Sequence, residues 1–111
     1  MGNFQKSIKL VNELMAFCFK SKAKEIDVNL KDNNVEVIIS IQAYIKDISQ
    51  ELLDNLDELN TPRQTQVEEY YWELAGENNQ YQELTLVGMM IDKADIEYEN
   101  DLLKITVYRK K

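Results

Sequence analysis

Histidine is absent from this chain of 111 residues, and cysteine and proline each occur once. Without histidine the chain lacks a histidine general base, a phosphoacceptor histidine and the commonest metal ligand. Cys18 has no second cysteine for an internal disulfide, and it lacks the histidine that usually activates a cysteine nucleophile. Because Cys18 lies in an apolar run, we expect a buried, reduced thiol. These residue types predict no catalytic residue and no metal site.

Long apolar runs and basic stripes are missing as well. An apolar run such as "LMAFCF" is too short to cross a membrane, and the polar first ten residues predict no signal peptide. The net charge is -7, whereas nucleic-acid binding needs a basic stripe. The small basic clusters, which we expect to be solvated ends of a helix and a strand, are Lys20, Lys22 and Lys24, and Arg109, Lys110 and Lys111. We therefore expect a cytoplasmic protein that binds neither nucleic acid nor membranes.

Chain breakers are rare, with one proline and three glycines. The sequence contains no Pro-rich or Gly/Ser-rich linker, no internal repeat and no low-complexity run. Its 44% apolar and 30% charged residues are ordinary for a globular protein. We predict a single domain over residues 1–111, mostly regular structure with short connections.

The first third of the chain predicts a helix followed by a hairpin. Residues 4–21 form the helix, with Asn3 as its cap. Its expected inner face is Phe4, Ile8, Val11, Met15 and Cys18, widened by Leu10, Leu14 and Phe17. "EIDVNL" predicts a half-buried strand with Ile26, Val28 and Leu30 inward, and "VEVIISIQAYI" predicts its partner strand. Between them, "KDNN" supplies residues that tolerate positive φ.

Three helices and a second hairpin are predicted for the rest. Ser49 begins the second helix, whose apolar face is Ile48, Leu52, Leu56 and Leu59. Thr61 and Gln64 fit a capping box for the third helix, which has Pro62 at its first position and ends at Gly76. The fourth helix covers about residues 83–93, with Leu84, Val87, Ile91 and Ala94 inward. The hairpin joins "DIEYE" to "LLKITVYRK" around "ND".

These elements follow the order α-β-β-α-α-α-β-β. Two hairpins and several helices can bury their apolar faces only against each other. We predict an α+β fold, a two-layer sandwich in which a mixed β-sheet of two hairpins is covered on one face by helices.

Two stretches resemble the ATP-binding domain of the GHKL superfamily, which includes sensor histidine kinases and the anti-sigma serine kinases. "ELMAFCFKSKAKEIDVNLKDNNVEVIISI", with Ala23 before the strand, is similar to the helix and hairpin that hold the family's N-box. "ELTLVGMMIDKADIEYENDLLKITVYRK" is similar to the family's last helix and final hairpin. The resemblance implies a histidine kinase-like fold and a role in bacterial signalling or transcription control.

The family's nucleotide-binding residues do not carry over to this chain. The N-box asparagine falls at Ala16 or Phe17, and neither side chain has an oxygen for magnesium. Glu13 matches the N-box glutamate in one register, but alone it makes no site. In the stretch that matches the adenine-binding DxGxG, Gln42 stands near the aspartate, and Tyr44 and Lys46 stand near the glycines. The nearest carboxylate, Asp47, is expected to cap the second helix.

The glycines that cradle phosphate before the family's last helix are replaced by Glu83 and Thr85. Phosphate needs bare backbone at a helix N-terminus, and a glutamate there opposes it. Gly88 in the middle of this helix costs about 1 kcal/mol relative to alanine. We attribute it to close packing against the sheet or a neighbouring helix, with a ligand role as the alternative.

"EEYYWEL" is a candidate partner contact. Trp72 lies near Glu68 and Glu69 on the predicted third helix, and a tryptophan with an acidic edge suits a protein interface. The alternative is that Trp72 packs against the following loop, next to Tyr81. The candidate contact residues are therefore Glu68, Glu69, Trp72 and Tyr81.

The sequence favours a non-catalytic, protein-binding regulatory domain derived from a histidine kinase-like or anti-sigma kinase-like fold. No catalytic, cofactor-binding or metal-binding residue is predicted, and no cofactor is implied. Two alternatives stay open. One is an atypical nucleotide or small-ligand binder that uses the same cleft with other residues. The other is a module that self-associates through a sheet edge or through Trp72.

Overall fold

The structure, a computed structural model, describes residues 3–56, 59 and 82–111. The predicted third helix and the contact residues Glu68, Glu69, Trp72 and Tyr81 lie outside this part of the chain. The helices and strands, in chain order, are α1 (Asn3–Lys20), β1 (Ile26–Asp32), β2 (Glu36–Tyr44), α2 (Gln50–Asn55), α3 (Gln82–Met90), β3 (Lys93–Glu99) and β4 (Leu102–Lys110).

The four strands form one sheet in the order β1-β2-β4-β3, and every neighbouring pair is antiparallel. The prediction of two hairpins in one sheet is confirmed, but the prediction of a mixed sheet is wrong. The hairpins meet through β2 and β4, which run in opposite directions. The parallel strands β2 and β3 have β4 between them, so the described part of the chain contains no parallel ladder.

One face of the sheet carries the core. Alternate residues of the two central strands are buried, and these are Val37, Ile39, Ile41 and Ala43 in β2 and Leu103, Ile105 and Val107 in β4. They pack in one cluster with side chains of the helices, among them Leu10, Leu14 and Leu84. The opposite face carries residues such as Gln42 and Lys104, which are exposed. The structure is therefore the expected α+β arrangement, with helices over one face of the sheet.

The two hairpins turn by different means. Asn100 and Asp101 have φ of 53° and 64°, as a two-residue turn with positive φ at both positions requires. The residues of "KDNN" tolerate positive φ, but none of them has it in the structure. Instead, Oδ1 of Asn33 accepts hydrogen bonds from the backbone N–H of Val35 and of Glu36, each at 2.8 Å. The Asn33 side chain thus makes the turn.

The start of α2 confirms Ser49 as its cap. Ser49 Oγ accepts a hydrogen bond from the backbone N–H of Leu52 at 3.1 Å. Asp47 does not cap this helix, contrary to the expectation, because it lies in the preceding turn with φ of 53°. Tyr98 holds that turn against β3. Its hydroxyl donates to the carbonyl of Ile45 at 2.8 Å and accepts from the N–H of Ile48 at 3.3 Å.

The C-terminus of α1 closes with a Schellman motif that has lysine at its left-handed position. Lys22 has φ of 68°. The N–H of Ala23 donates to the carbonyl of Cys18 at 3.1 Å, and the N–H of Lys22 donates to that of Phe19 at 3.0 Å. Glycine usually occupies this position because it has no Cβ to oppose positive φ.

The Lys22→Gly substitution is expected to raise the free energy of unfolding by about 1 kcal/mol, because it relieves the left-handed conformation of a residue with a Cβ. Urea unfolding followed by circular dichroism measures the change. Lys24→Gly is the matched control, since it removes the same charge at a nearby loop position without positive φ. A loss of stability in Lys22→Gly would contradict this account of the helix end.

Arg109 joins α3 to β4. Its side chain is only 5% exposed, so the expectation that the basic cluster at the C-terminus is solvated is wrong for this residue. Arg109 lies on the helix-covered face of β4, where Nη1 donates to the carbonyl of Met90 at 2.6 Å. A cation at the C-terminal end of a helix also complements the helix dipole. α3 ends at Met90, earlier than predicted, and β3 begins at Lys93.

Replacing Arg109 by methionine is expected to lower the free energy of unfolding by about 2–3 kcal/mol, because a buried carbonyl loses a charge-assisted hydrogen bond. Lys104→Met removes a charge from the exposed face of the same strand, and its effect is expected to stay within about 0.5 kcal/mol. Equal effects of the two substitutions in urea unfolding would show that the Arg109 contact contributes nothing.

Candidate functional site

The positions that match the N-box lie on α1 and carry no ligand set for magnesium. Phe17 is part of the core, and Ala16 beside it is half-buried. Glu13 is a buried carboxylate whose Oε1 lies 3.7 Å from Nζ of Lys9, one helical turn earlier. The structure therefore uses Phe17 for packing, while Glu13 is in contact with a lysine of its own helix.

The positions that match the adenine-binding stretch lie on one face of the sheet, whereas α3, which contains Glu83 and Thr85 of the phosphate-binding stretch, covers the other face. Gln42 and Tyr44 lie on the open face of β2, since they alternate with buried residues. Met89 and Met90 are buried in α3, in the layer above the other face. Gly88 is buried in the same helix, which contacts α1, in keeping with close packing between helices. Tyr44, Met89 and Met90 thus do not fill a common cleft.

The open face has a shallow depression of about 330 Å³ at the Tyr44 end. Its lining is Tyr44, Glu97, Glu99, Asn100, Leu102 and Lys104. Two carboxylates against one lysine repel a phosphate group, because the local potential is negative. This depression does not suit a nucleotide.

Other polar residues of the open face pair across neighbouring strands. The Tyr108 hydroxyl donates to Oδ2 of Asp95 at 3.2 Å, and this hydrogen bond raises the pKa of Tyr108 above its ordinary value. Nζ of Lys93 lies 5.4 Å from the centre of the Tyr108 ring. These contacts stabilise the sheet surface as ordinary cross-strand pairs do.

The described residues offer neither a reactive thiol nor a metal cluster. Cys18 is buried, as predicted, and desolvation raises the pKa of its thiol to about 12. The reactive thiolate is therefore absent at neutral pH. Within residues 3–56, 59 and 82–111, no three groups among His, Cys, Asp and Glu come close enough to hold a metal ion. No helix in these ranges is long and apolar enough to cross a bilayer.

α1 exposes a row of large apolar side chains, here called the α1 stripe: Phe4, Ile8, Met15 and Phe19. Phe4 is 75% exposed and Phe19 is 77% exposed. The expectation that Phe4, Ile8 and Met15 face inward is wrong, because the helix buries the neighbouring face of Leu10, Leu14, Phe17 and Cys18 instead. α1 is apolar around more of its circumference than the sheet and α3 cover.

β1 continues the exposed apolar surface. Val28 and Leu30 lie opposite Ile41 and Ile39 of β2, so their side chains face the helix layer as predicted. Each is nevertheless 39% exposed, because β1 is an outer strand and the helix layer covers it only in part.

We infer that the α1 stripe and these β1 residues lie on the same side of the molecule. α1 contacts β1, β2 and α3, whereas the end of α3 is tied to β4 through Arg109. One flank of α1 thus faces α3 and the other overhangs β1. Successive residues of α1 are rotated by about 100° around its axis, which gives the angle between the α1 stripe and the buried face. The parallel strands β2 and β3 favour a right-handed crossover, which gives the direction of α1 relative to the sheet. Together these two conditions place the α1 stripe on the flank of α1 above β1. We call the α1 stripe with Val28 and Leu30 the edge surface.

No protein-family model and no curated protein matches this chain. The assignment of a function therefore depends on the residues and contacts described above. Membership of the GHKL superfamily stays a prediction from the two stretches at the ends of the chain.

The edge surface is a feature that the sequence interpretation missed. The signal was present in α1, where apolar residues occupy too many positions for one buried face. Phe19 in particular lies about 100° around the helix from Cys18 and about 200° from Phe17. Periodicity alone does not tell which part of such a face meets the core.

Phe17 and Phe19 provide a matched test of this orientation. Phe17→Ala is expected to cost about 3–5 kcal/mol of unfolding free energy, because it opens a cavity in the core. Phe19→Ala is expected to change stability by less than about 0.5 kcal/mol, as at an exposed position. Urea unfolding of both variants measures the difference, and a large loss in Phe19→Ala would show that Phe19 is covered in the folded chain.

Proposed function

We propose that this chain is a non-catalytic, protein-binding regulatory domain, and that the edge surface is where it binds. The observation that carries the proposal is the exposure of two phenylalanines in a row of apolar side chains on α1, together with a half-covered outer strand. Contiguous exposed apolar surface is characteristic of interaction sites, and aromatic residues are enriched there. Exposure of such a surface to water is unfavourable, and its burial by a partner is favourable.

A histidine kinase-like or anti-sigma kinase-like ancestry is part of the proposal. It is supported by the two stretches that carry the resemblance, which fold as α1-β1-β2 and α3-β3-β4, a helix followed by a hairpin in each. On this account the domain kept the scaffold, lost its nucleotide boxes and acts in the cytoplasm in bacterial signalling or transcription control. Fold likeness by itself says little about activity, so the function rests on the edge surface.

The fate of the nucleotide boxes supports a non-catalytic role. Phe17 packs in the core where one register places the magnesium-binding asparagine, and Ala16 has no ligand oxygen. The depression on the open face is acidic, with Glu97 and Glu99 in its lining. The features of the described residues therefore favour surface binding over phosphotransfer.

A thermal-shift titration with ATP and ADP, with and without magnesium, is expected to leave the unfolding midpoint unchanged. A ligand at 100 times its dissociation constant adds about 2.7 kcal/mol of stability. For a domain of this size that raises the midpoint by roughly ten degrees. Inorganic tripolyphosphate at the same concentration is the control for ionic strength and metal chelation. A shift of several degrees that requires both nucleotide and magnesium would overturn the proposed function.

A further inference from the structure

Within the described part of the chain, β1 has a free backbone edge. The sheet begins with β1, and no other strand of the described part pairs with its outer side. The N–H of Tyr44 bonds the carbonyl of Glu25 at 3.0 Å, and the N–H of Asn33 bonds the carbonyl of Glu36 at 3.1 Å. Odd-numbered residues at both ends of β1 thus bond towards β2. Because this direction alternates along an antiparallel strand, the N–H and C=O groups of the even-numbered residues point outward.

The side chains of β1 are complementary to a second copy of the same strand. In "DVNLK", residues 27–31, two apolar residues flank Asn29 symmetrically, and the residues outside them carry charges of opposite sign. If two copies run antiparallel with Asn29 opposite its symmetry mate, Asp27 of each copy lies opposite Lys31 of the other. In the same register Val28 lies opposite Leu30. Both pairs occur twice, as a two-fold axis requires.

Backbone and side chains agree on this register. Val28 and Leu30 are even-numbered, so their backbone N–H and C=O groups point outward from β1. In this register the groups of Val28 in one copy meet those of Leu30 in the other and form hydrogen-bonded pairs. Their side chains face the helix layer and cover each other beneath the α1 stripe. Asp27 and Lys31 face the open side, opposite Gln42 and Ile38 within their own chain. Opposite charges on directly paired residues stabilise a sheet, and like charges destabilise it.

The other edge of the sheet places like charges directly opposite each other. If β3 paired with a second β3 about Asp95, Lys93 would lie opposite Glu97 of the other copy, but the two Asp95 side chains would face each other at the centre. About Ile96, Asp95 would lie opposite Glu97. Like charges in either register oppose the pairing, and charged side chains are a common protection of a sheet edge. The contrast directs self-association to β1.

We propose that two copies of this chain dimerise through β1, antiparallel about Asn29, into one continuous sheet with the two α1 stripes beside the two-fold axis. The proposal rests on the proposed protein-binding function and names its partner as a second copy of the chain. Pairing provides partners for the free backbone edge and covers Val28 and Leu30. It also places the exposed apolar side chains of both helices on one contiguous interface.

The test is a reciprocal charge exchange followed by light scattering over a concentration series. The wild-type chain is expected at about 26 kDa, twice its mass of 13.0 kDa. Asp27→Lys places lysine opposite lysine in both pairs, and Lys31→Asp places aspartate opposite aspartate. Each single substitution is expected to weaken the dimer roughly tenfold or more. The double variant Asp27→Lys/Lys31→Asp restores opposite charges and is expected to dimerise like the wild type.

Mixing the two single variants gives the sharpest result. In the mixed pair the introduced lysine of one chain meets the introduced aspartate of the other, and the native Lys31 meets the native Asp27. A heterodimer between chains that do not pair with themselves is expected, and only a register about Asn29 produces it. Glu99→Lys and Lys104→Asp make the same charge changes on the open face away from β1, and they are expected to leave the dimer intact. Below the dissociation constant of the wild-type dimer, where dimerisation adds no stability, unfolding midpoints equal to that of the wild type show that the substitutions act on pairing and not on folding.

Two results would overturn the proposal. A wild-type chain that stays monomeric at high concentration would exclude the dimer, yet it would leave the edge surface free for a different protein. A dimer that both single variants retain would exclude the β1 register. Neither result depends on the nucleotide titration, so failure of the dimer and failure of the proposed function are distinguishable.

Discussion

The antiparallel pairing of β2 with β4 organises this molecule. It joins a hairpin from the first half of the chain to a hairpin from its end, with Ile41 opposite Ile105 at the centre of the buried face. Since each hairpin contributes its second strand to the centre, β1 and β3 become the outer strands. The same pairing positions the helix that precedes each hairpin, so that α1 and α3 lie over one face and meet each other.

The helices have more apolar surface than the sheet and the neighbouring helix bury. α3 is buried at every residue whose burial is described, whereas α1 has apolar residues on more sides than the sheet and α3 cover. The buried charged residues of this layer, in contrast to the exposed apolar ones, have partners within the chain. Arg109 contacts the carbonyl of Met90, and Glu13 lies beside Lys9. Burial of a charge is costly unless it has a partner, and both groups have one. The exposed apolar row is therefore a feature that packing among the described residues leaves unexplained.

The proposed binding role and the proposed loss of nucleotide chemistry rest on the same residue types. Where the resembling family places oxygen ligands and bare glycine backbone, this chain has apolar, aromatic and acidic residues. Phe17 strengthens the core, and the acidic residues at the end of β3 give the open face a negative edge. The proposed binding surface consists of an outer strand, whose charges are complementary to those of a second copy, and of aromatic side chains on α1.

Local signals determined much of this protein in advance. The alternation in "VEVIISIQAYI", the cap at Ser49, the "ND" turn and the buried Cys18 follow from short-range rules of spacing and turn chemistry, and the structure agrees with each. The direction and order of the strands, the burial of Arg109 and the exposure of Phe4 and Phe19 do not follow from such rules. They depend on which surfaces meet after distant segments pack together. Periodicity identifies an apolar face, but only the neighbours in space decide how much of that face is covered.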